Sequence, residues 1–322
     1  MKILRTISTA LSMCLFACTG AVAADFPTRP VKVVIPYSAG GTSDILGRLV
    51  QGPLSENLGQ SVIIENKPGG ASVIGTSQVA RVTPDGHTIL FADLALLVNP
   101  GLMADLPYDT TKDFRAITGF AKAPLVLLIN GDLPFNSLPE LIDYAKKNPG
   151  KLNFGSGGYG SSTHIAGELF KKVTGLDIMH VPFQGVAPAM TAILSGQVEI
   201  YFGGTTTALQ HLREKRLKAL AITGNQRNTL IPDVPTFKEQ SVDGMNADTY
   251  WGVYAPAGTP DAAIVRLNQA FEAAMKDPKV KERVDQFGIE LIHNSPEEQD
   301  KAFRQMVDYW SRFIKETGIK VQ

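Results

Sequence analysis

Residues 31–49, VKVVIPYSAGGTSDILGRL, place a strand, a glycine turn and a helix start in direct succession. Val31, Val33, Val34 and Ile35 form a short β-branched run, and Pro36, which has no N–H to donate, stops the ladder. Gly40 and Gly41 supply the backbone freedom of a tight strand-to-helix turn, and Thr42 or Ser43 is placed to cap the helix that follows. Ile45, Leu46, Leu49, Val50 and Leu54 then recur at helical spacing, so one face of that helix is buried. Such a helix start aims unpaired N–H groups and a partial positive charge beyond the strand's carboxyl end, where a carboxylate or phosphate fits. An ordinary structural turn is the competing reading, and repetition of the same device along the chain decides for the pocket.

The device does repeat. SVIIE at 61–65 is a second strand, NKPGG at 66–70 turns the chain into a helix, and residues 87–91 supply a third strand after Pro84-Asp85-Gly86. Strands alternating with helices predict a parallel sheet. The apolar run APLVLLIN at 123–130 and the capping-box pattern Ser137-Leu138-Pro139-Glu140 then open a new lobe. Three strand-turn-helix units follow, at 152–155 into Gly157-Gly158, at 178–183 into Gln184-Gly185, and at 198–202 into Gly203-Gly204. Residues 217–223 form another strand, and WGVYA at 251–255 carries the chain back to the first lobe, so it crosses twice. Thr259-Pro260-Asp261 and Ser295-Pro296-Glu297-Glu298 are helix starts, and the second opens a terminal helix that packs through Phe303, Met306, Val307, Trp310 and Phe313.

A chain of 322 residues exceeds what one core usually holds, which agrees with two lobes. With 19% charged residues and no basic excess, the composition excludes a nucleic-acid-binding surface. Residues 1–24 differ from the rest: Lys2 and Arg5, an apolar run through Phe16, then Ala21-Val22-Ala23 before Asp25 read as a cleavable secretory signal peptide. Lipidation of Cys18 through Leu15-Phe16-Ala17-Cys18 is the competing reading, which the bulk of Phe16 disfavours. Both cysteines lie in this segment, so the exported chain has no thiol for a disulfide, a zinc site or a nucleophile. It retains 29 basic and 31 acidic residues, a net charge of −2, and no later stretch of 18 apolar residues.

Catalytic motifs fail one by one. Gly155-Ser156-Gly157-Gly158-Tyr159-Gly160 matches G-x-G-x-x-G, but Asp177 precedes the following strand instead of closing it, so the dinucleotide reading falls. Phe154 stands where a nucleophile elbow needs glycine. No P-loop is present, and the histidines at 87, 164, 180, 211 and 293 lack metal-ligand spacing, so neither a metal nor a cofactor is expected. A secreted hydrolase using a serine of the 156–163 loop with His164 remains as an alternative, as does a ligand sensor for a signalling partner. What the turns share is placement. Parallel strands bring residues 38–44, 156–164, 184–187 and 203–206 to sheet edges, and these stretches contain backbone N–H groups and hydroxyls but almost no Lys or Arg. Several helix ends at about 0.3–1 kcal/mol and charged hydrogen bonds at about 1.5–3 kcal/mol suffice for micromolar capture of an anion.

On these residues the chain resembles the extracytoplasmic solute receptors of tripartite tricarboxylate transporters, the Bug receptor family. The likeness rests on Arg29-Pro30-Val31-Lys32, residues 36–44 (PYSAGGTSD), residues 65–70 (ENKPGG), the 155–164 loop with Ala166-Gly167, His180-Val181-Pro182-Phe183-Gln184-Gly185, Pro232-Asp233-Val234-Pro235-Thr236 and Trp251-Gly252. It implies an α/β, two-lobed type II periplasmic binding fold, each lobe a mainly parallel sheet flanked by helices. The lobes are expected at 25–124 with 250–322 and at 125–249, with hinges near 123–127 and 248–254. It further implies a periplasmic, monomeric receptor without enzymatic activity, which closes on a small organic carboxylate and presents it to membrane permease subunits. Two family loops hold the ligand carboxylate, and here they match Tyr37, Ser38, Ala39, Gly40, Gly41, Thr42 and Asp44 in the first and Ser156, Gly157, Gly158, Ser161, Ser162, Thr163 and His164 in the second. Gln184, Gly203 and Asp248 complete the candidate set. Tyr37 stands where phenylalanine is common and Gln184 where lysine is frequent, so the ligand's identity does not carry over.

Overall fold

The computed structural model describes residues 26–319; the expected signal peptide and the lipidation of Cys18 lie outside the described residues. The opening unit folds as its pattern dictates, with β1 (Val31–Ile35) leading through the glycine turn into α1 (Thr42–Leu58). Then come β2 (Val62–Asn66), α2 (Val73–Ala80), β3 (Thr88–Ala92), α3 (Ala95–Leu102) and the long β4 (Phe114–Ala123). A second sheet is built from β5 (Leu125–Asn130), β6 (Asn153–Ser156), β7 (Met179–Pro182), β8 (Ile200–Gly204) and β9 (Leu217–Ile222), with α4 (Leu138–Lys147), α5 (Ser162–Thr174), α6 (Val186–Leu194) and α7 (Thr205–Arg213) between its strands. β10 (Thr249–Pro256), α8 (Asp261–Lys276), α9 (Pro278–Gln286), β11 (Glu290–Leu291) and α10 (Pro296–Thr317) follow.

The strand orders are β11-β4-β10-β3-β1-β2 and β7-β6-β8-β5-β9. β1 pairs in parallel with β2 and β3, and β6 pairs in parallel with β7 and β8. The helix starts of α1, α2 and α3 therefore share one sheet edge, and those of α5, α6 and α7 share another. Both sheets are mixed and less parallel than the sequence suggests. β10 runs antiparallel between β3 and β4, and β5 runs antiparallel between β8 and β9. These two strands are the ones that arrive from the other sheet. The chain changes sheet once at Pro124, between β4 and β5, and once between β9 and β10.

Two stretches escape the pattern reading. β4, FRAITGFAKA, interrupts its apolar alternation with Arg115, Gly119 and Lys122, yet pairs on both sides with β10 and β11. α3 contains Pro100 and Gly101, which argue against a helix locally, and is held by burial of Leu96, Leu97 and Val98. The terminal helix matches its expected face: Phe303, Val307, Trp310 and Phe313 are buried, Met306 half-buried, and Ser295 and Glu298 form the full capping box. One continuous apolar core joins both sheets, running from Leu97 and Leu102 on α3 and Phe313 on α10 to Phe170 on α5. At the far end of α5, Lys172 pairs with Glu316 of α10 at 2.6 Å.

Candidate functional site

The first candidate loop is open to solvent. Ser38, Ala39, Gly40, Gly41 and Thr42 are all exposed, and the N-cap of α1 is Gly41, with no side-chain cap. Neither Thr42 nor Ser43 performs the capping expected of them, because both lie inside the first turn and Ser43 Oγ accepts a hydrogen bond from Trp251 Nε1 at 3.0 Å. The N–H groups of Thr42, Ser43 and Asp44 have no partner within the helix by its geometry, an arrangement chemically compatible with an anion. Gly40 holds the turn with φ +85° and donates its N–H to Asp44 Oδ2 at 2.9 Å.

Asp44 is buried and committed elsewhere, its Oδ1 accepting from Arg48 Nε at 2.9 Å. Burial raises its pKa, but the bonds from Arg48 and the Gly40 N–H outweigh that and hold the carboxyl below the usual carboxylate value. Arg48 is spent in turn on Asp44 and Asn66. Tyr37, half-buried, donates its hydroxyl to Asp93 Oδ1, which also accepts the Ala95 N–H at 2.9 Å. Burial pushes both groups up, the Tyr37 phenol further because the Asp93 charge lies beside it. Asn66 Nδ2 secures the loop by donating to the Tyr37 carbonyl at 3.0 Å.

The second loop is a closed circuit of hydrogen bonds. Gly157 N–H donates to Thr163 Oγ1 at 2.8 Å, Gly158 N–H to Ser156 Oγ at 3.1 Å, and Gly160 N–H to His164 Nδ1 at 3.2 Å. Ser161 caps α5 by accepting the His164 N–H at 3.3 Å while its hydroxyl donates to the Gly158 carbonyl at 2.7 Å. Ser156, Thr163 and His164 are thus buried loop-builders, and Gly157, Gly158, Ser161 and Ser162 remain half-buried at its surface. The N–H groups of Ser162 and Thr163 stand at the helix start without intrahelical partners.

The structure scatters the rest of the candidate set. Gln184 is exposed ahead of α6. Gly203 is buried inside β8, where a Cβ would meet the Tyr201 ring at 2.8 Å, a packing requirement. Asp248 lies at the sheet crossing, its Oδ1 accepting from Thr223 Oγ1 at 2.6 Å, and Thr223 Oγ1 in turn accepts the Leu125 N–H at 2.8 Å. One threonine therefore ties the two crossings together.

His180, which spacing alone does not connect to this site, stacks on His164 with ring centroids 4.2 Å apart and binds Ser156 Oγ through Nε2 at 2.6 Å. Burial drives the pKa of His164 down to about 3 and that of His180 to about 4, with the neighbouring His180 and Lys171 charges adding to the shift of His164 and Lys171 to that of His180. Both rings are neutral at pH 7. This corrects the hydrolase alternative. His164 spends Nδ1 on a backbone N–H, Ser156 has His180 as its partner, and Ser156 is 0% exposed, so no substrate carbonyl reaches its hydroxyl. His164, Glu168 and His180 also bring three metal-type ligand atoms within 4.8 Å of one another. One nitrogen of each ring is already engaged, His164 Nδ1 by the Gly160 N–H and His180 Nε2 by Ser156 Oγ. Glu168 is held by Lys171 at 3.0 Å.

Two surface grooves, of about 540 Å³ beside α7 and β9 and about 570 Å³ between α3 and residues 106–111, touch none of the candidate ligand residues. The candidate site therefore rests on its two helix starts and not on either groove. Among the described residues no helix is long and apolar enough to cross a membrane.

Residues 46–319 match the model of the tripartite tricarboxylate transporter family receptor, TctC. The periplasmic binding protein BugD superposes with a TM-score of 0.82 at 33% identity, covering 92% of this chain and 100% of BugD. An R. palustris protein solved with adipate gives a TM-score of 0.83 at 31% identity, over 92% of this chain and 100% of that one. MatC from Rhodopseudomonas palustris, solved with bound malate, gives 0.80 at 30% identity, over 89% and 99%.

Proposed function

The chain belongs to the tripartite tricarboxylate transporter receptor family, a family of solute-binding receptors and not of enzymes, and on that footing we propose that it captures a small organic carboxylate in the periplasm for a tripartite permease. The observation that carries the reading is the uncapped first turn of α1 at the edge of the first sheet, open and without a free cation beside it. A carboxylate bound there takes its hydrogen bonds from backbone N–H groups whose orientation the helix has already fixed. The half-buried Ser161-Ser162 start of α5 offers the same chemistry from the second sheet.

The two sheets act as lobes, residues 25–124 with 250–322 as one and 125–249 as the other, turning about Pro124-Leu125 and Asp248-Thr249. Each helix start contributes fully only when the lobes are together, so ligand binding and closure are one event. The receptor works as a monomer, exported by its signal peptide. Adipate and malate, bound by two relatives, define the first chemistry to try. The test is a thermal-shift screen of residues 25–322 against mono-, di- and tricarboxylates, aromatic acids and amino acids. A ligand at 100 times its dissociation constant adds about 2.7 kcal/mol to stability. A saturable rise with one acid class supports the proposal and names the class; no rise with any acid refutes it.

A further inference from the structure

Ahead of α2 the backbone adopts a conformation that side chains resist. Gly69, Gly70, Ala71 and Ser72 have successive φ values of 125°, 57°, 51° and 74°, so a left-handed turn includes two residues with a Cβ. The turn adjoins the first ligand loop. Lys67 N–H donates to the Ile35 carbonyl at 2.8 Å, and the Tyr37 hydroxyl faces the Ser72 side chain. What fastens it is Asn99 on α3, whose Nδ2 donates to the Ala71 carbonyl at 2.9 Å and reaches Ser72 Oγ at 3.4 Å.

The other end of the same side chain meets the opposite sheet. Asn99 is 0% exposed and its Oδ1 has no hydrogen-bond partner, the buried Tyr108 hydroxyl beside the same side chain being likewise unpartnered. Over that oxygen lies Gly160 of the second ligand loop, with φ +75°, where a Cβ would come within 3.2 Å of Asn99 Oδ1 and 3.3 Å of Leu102 Cδ1. Gly160 brings no donor to it, because its own N–H is spent on His164 Nδ1. An acceptor buried without a donor is unfavourable relative to the same acceptor in water. Withdrawal of Gly160 would return water to Asn99 Oδ1, so this contact opposes closure that the ligand does not drive.

We infer that Asn99 is a positioning residue for ligand capture: Nδ2 fixes the left-handed turn beside the first ligand loop, and Oδ1, covered by Gly160, biases the unliganded receptor toward separated lobes. The inference rests on the two-lobed receptor reading in that the lobes must be able to part. Residues 25–322 contain no cysteine, which permits clean spin labelling at two exposed sites, Glu56→Cys on α1 and Lys146→Cys on α4.

Pulsed dipolar distances are measured on the ligand-free chain, with and without Asn99→Leu, which removes the buried acceptor, and Gly160→Ala, which adds a Cβ against it. Asn99→Leu should raise the ratio of closed to open molecules roughly tenfold, the weight of one orphaned acceptor, and Gly160→Ala should lower that ratio. A clamp that only stabilises the turn would lower the melting temperature without moving the distances. Because the leucine variant also releases the strained turn, it is repeated with Ala71→Gly and Ser72→Gly, which remove the strain the clamp opposes. Two wild-type distances that Asn99→Leu leaves in place, in both backgrounds, overturn the role of Asn99 alone. A single wild-type distance that stays fixed with malate and with adipate overturns the moving-lobe reading and this inference with it.

Discussion

Acidification from pH 8 to pH 5 should destabilise this protein well before its carboxylates titrate, because the second ligand loop is built on two neutral histidines. His164 and His180 have pKa values held down to about 3 and about 4, from an ordinary value of 6.5. A depressed histidine pKa means that the unfolded chain takes up a proton which the folded chain refuses, so stability falls as pH drops through 6.5 and continues to fall toward the folded-state values. At pH 5 each group costs about 2 kcal/mol, somewhat less for His180, which is nearer solvent than His164. The pair together removes about 3–4 kcal/mol, a large share of the typical 5–15 kcal/mol stability of a folded protein. Carboxylates with lowered pKa, such as Asp109 at about 2, lose their contribution only below about pH 5, so the window is nearly clear of them. Asp93 and Asp248, whose pKa values are raised by burial, act with the opposite sign, but they are common to wild type and variants and cancel in the difference. The assay is urea denaturation at pH 8, 6.5 and 5 for wild type, His164→Asn and His180→Gln, replacements that retain a polar atom for Gly160 and Ser156. Each variant should be less stable at pH 8 and lose about 2 kcal/mol less than wild type on going to pH 5. Variants that keep the full wild-type slope between pH 8 and 5 would refute the reasoning.

Two further outcomes follow from the turn and the crossing. Gly40 and Gly41 are not equivalent: Gly40→Val forces a branched side chain to φ +85° and should cost about 1–2 kcal/mol and weaken carboxylate binding in the thermal-shift screen, whereas Gly41→Ala, at φ −77°, should change neither by much. Thr223→Val keeps the volume but strands the buried Leu125 N–H and removes a donor from Asp248. Urea denaturation at pH 8 should show a loss of about 3 kcal/mol, and a loss under 1 kcal/mol would remove Thr223 as the tie between the crossings.

What was legible in the sequence was whatever neighbours in the chain decide. The β1–α1 unit, the Ser295-Glu298 capping box and the inward face of α10 depend on residues within a few positions of one another, and their patterns read correctly except at Ile45, expected on the buried face of α1 but 40% exposed. β4 and α3 were illegible because pairing with β10 and β11 and burial in the joint core override Gly119, Pro100 and Gly101, whose local preference points the other way. The capping role expected of Thr42 and Ser43 failed for a related reason, since Trp251, 208 positions from Ser43, claims the Ser43 hydroxyl. Asn99 carried no signal at all, its importance lying in what α2 and the second sheet bring to it.

On the proposed reading, the charges around the two loops suit a receptor that must release its ligand. Arg48 is paired with Asp44, Lys67 with Glu65 and Lys171 with Glu168, each at 2.8–3.0 Å, and the histidines behind the second loop are neutral. A carboxylate bound as proposed would therefore meet oriented N–H groups and hydroxyls but no unpaired cation from these elements. A direct ion pair from one lobe alone would hold the anion whether the lobes were open or shut, and closure would add little to it. Helix starts of modest individual strength, one from each sheet, make affinity depend on both being present at once. Release then requires only that one lobe withdraw. On the proposed reading, the pairing of these three cations and the burial of a second-sheet glycine against Asn99 would serve the same end, since each would keep a single lobe from holding the ligand, or the closed state, by itself.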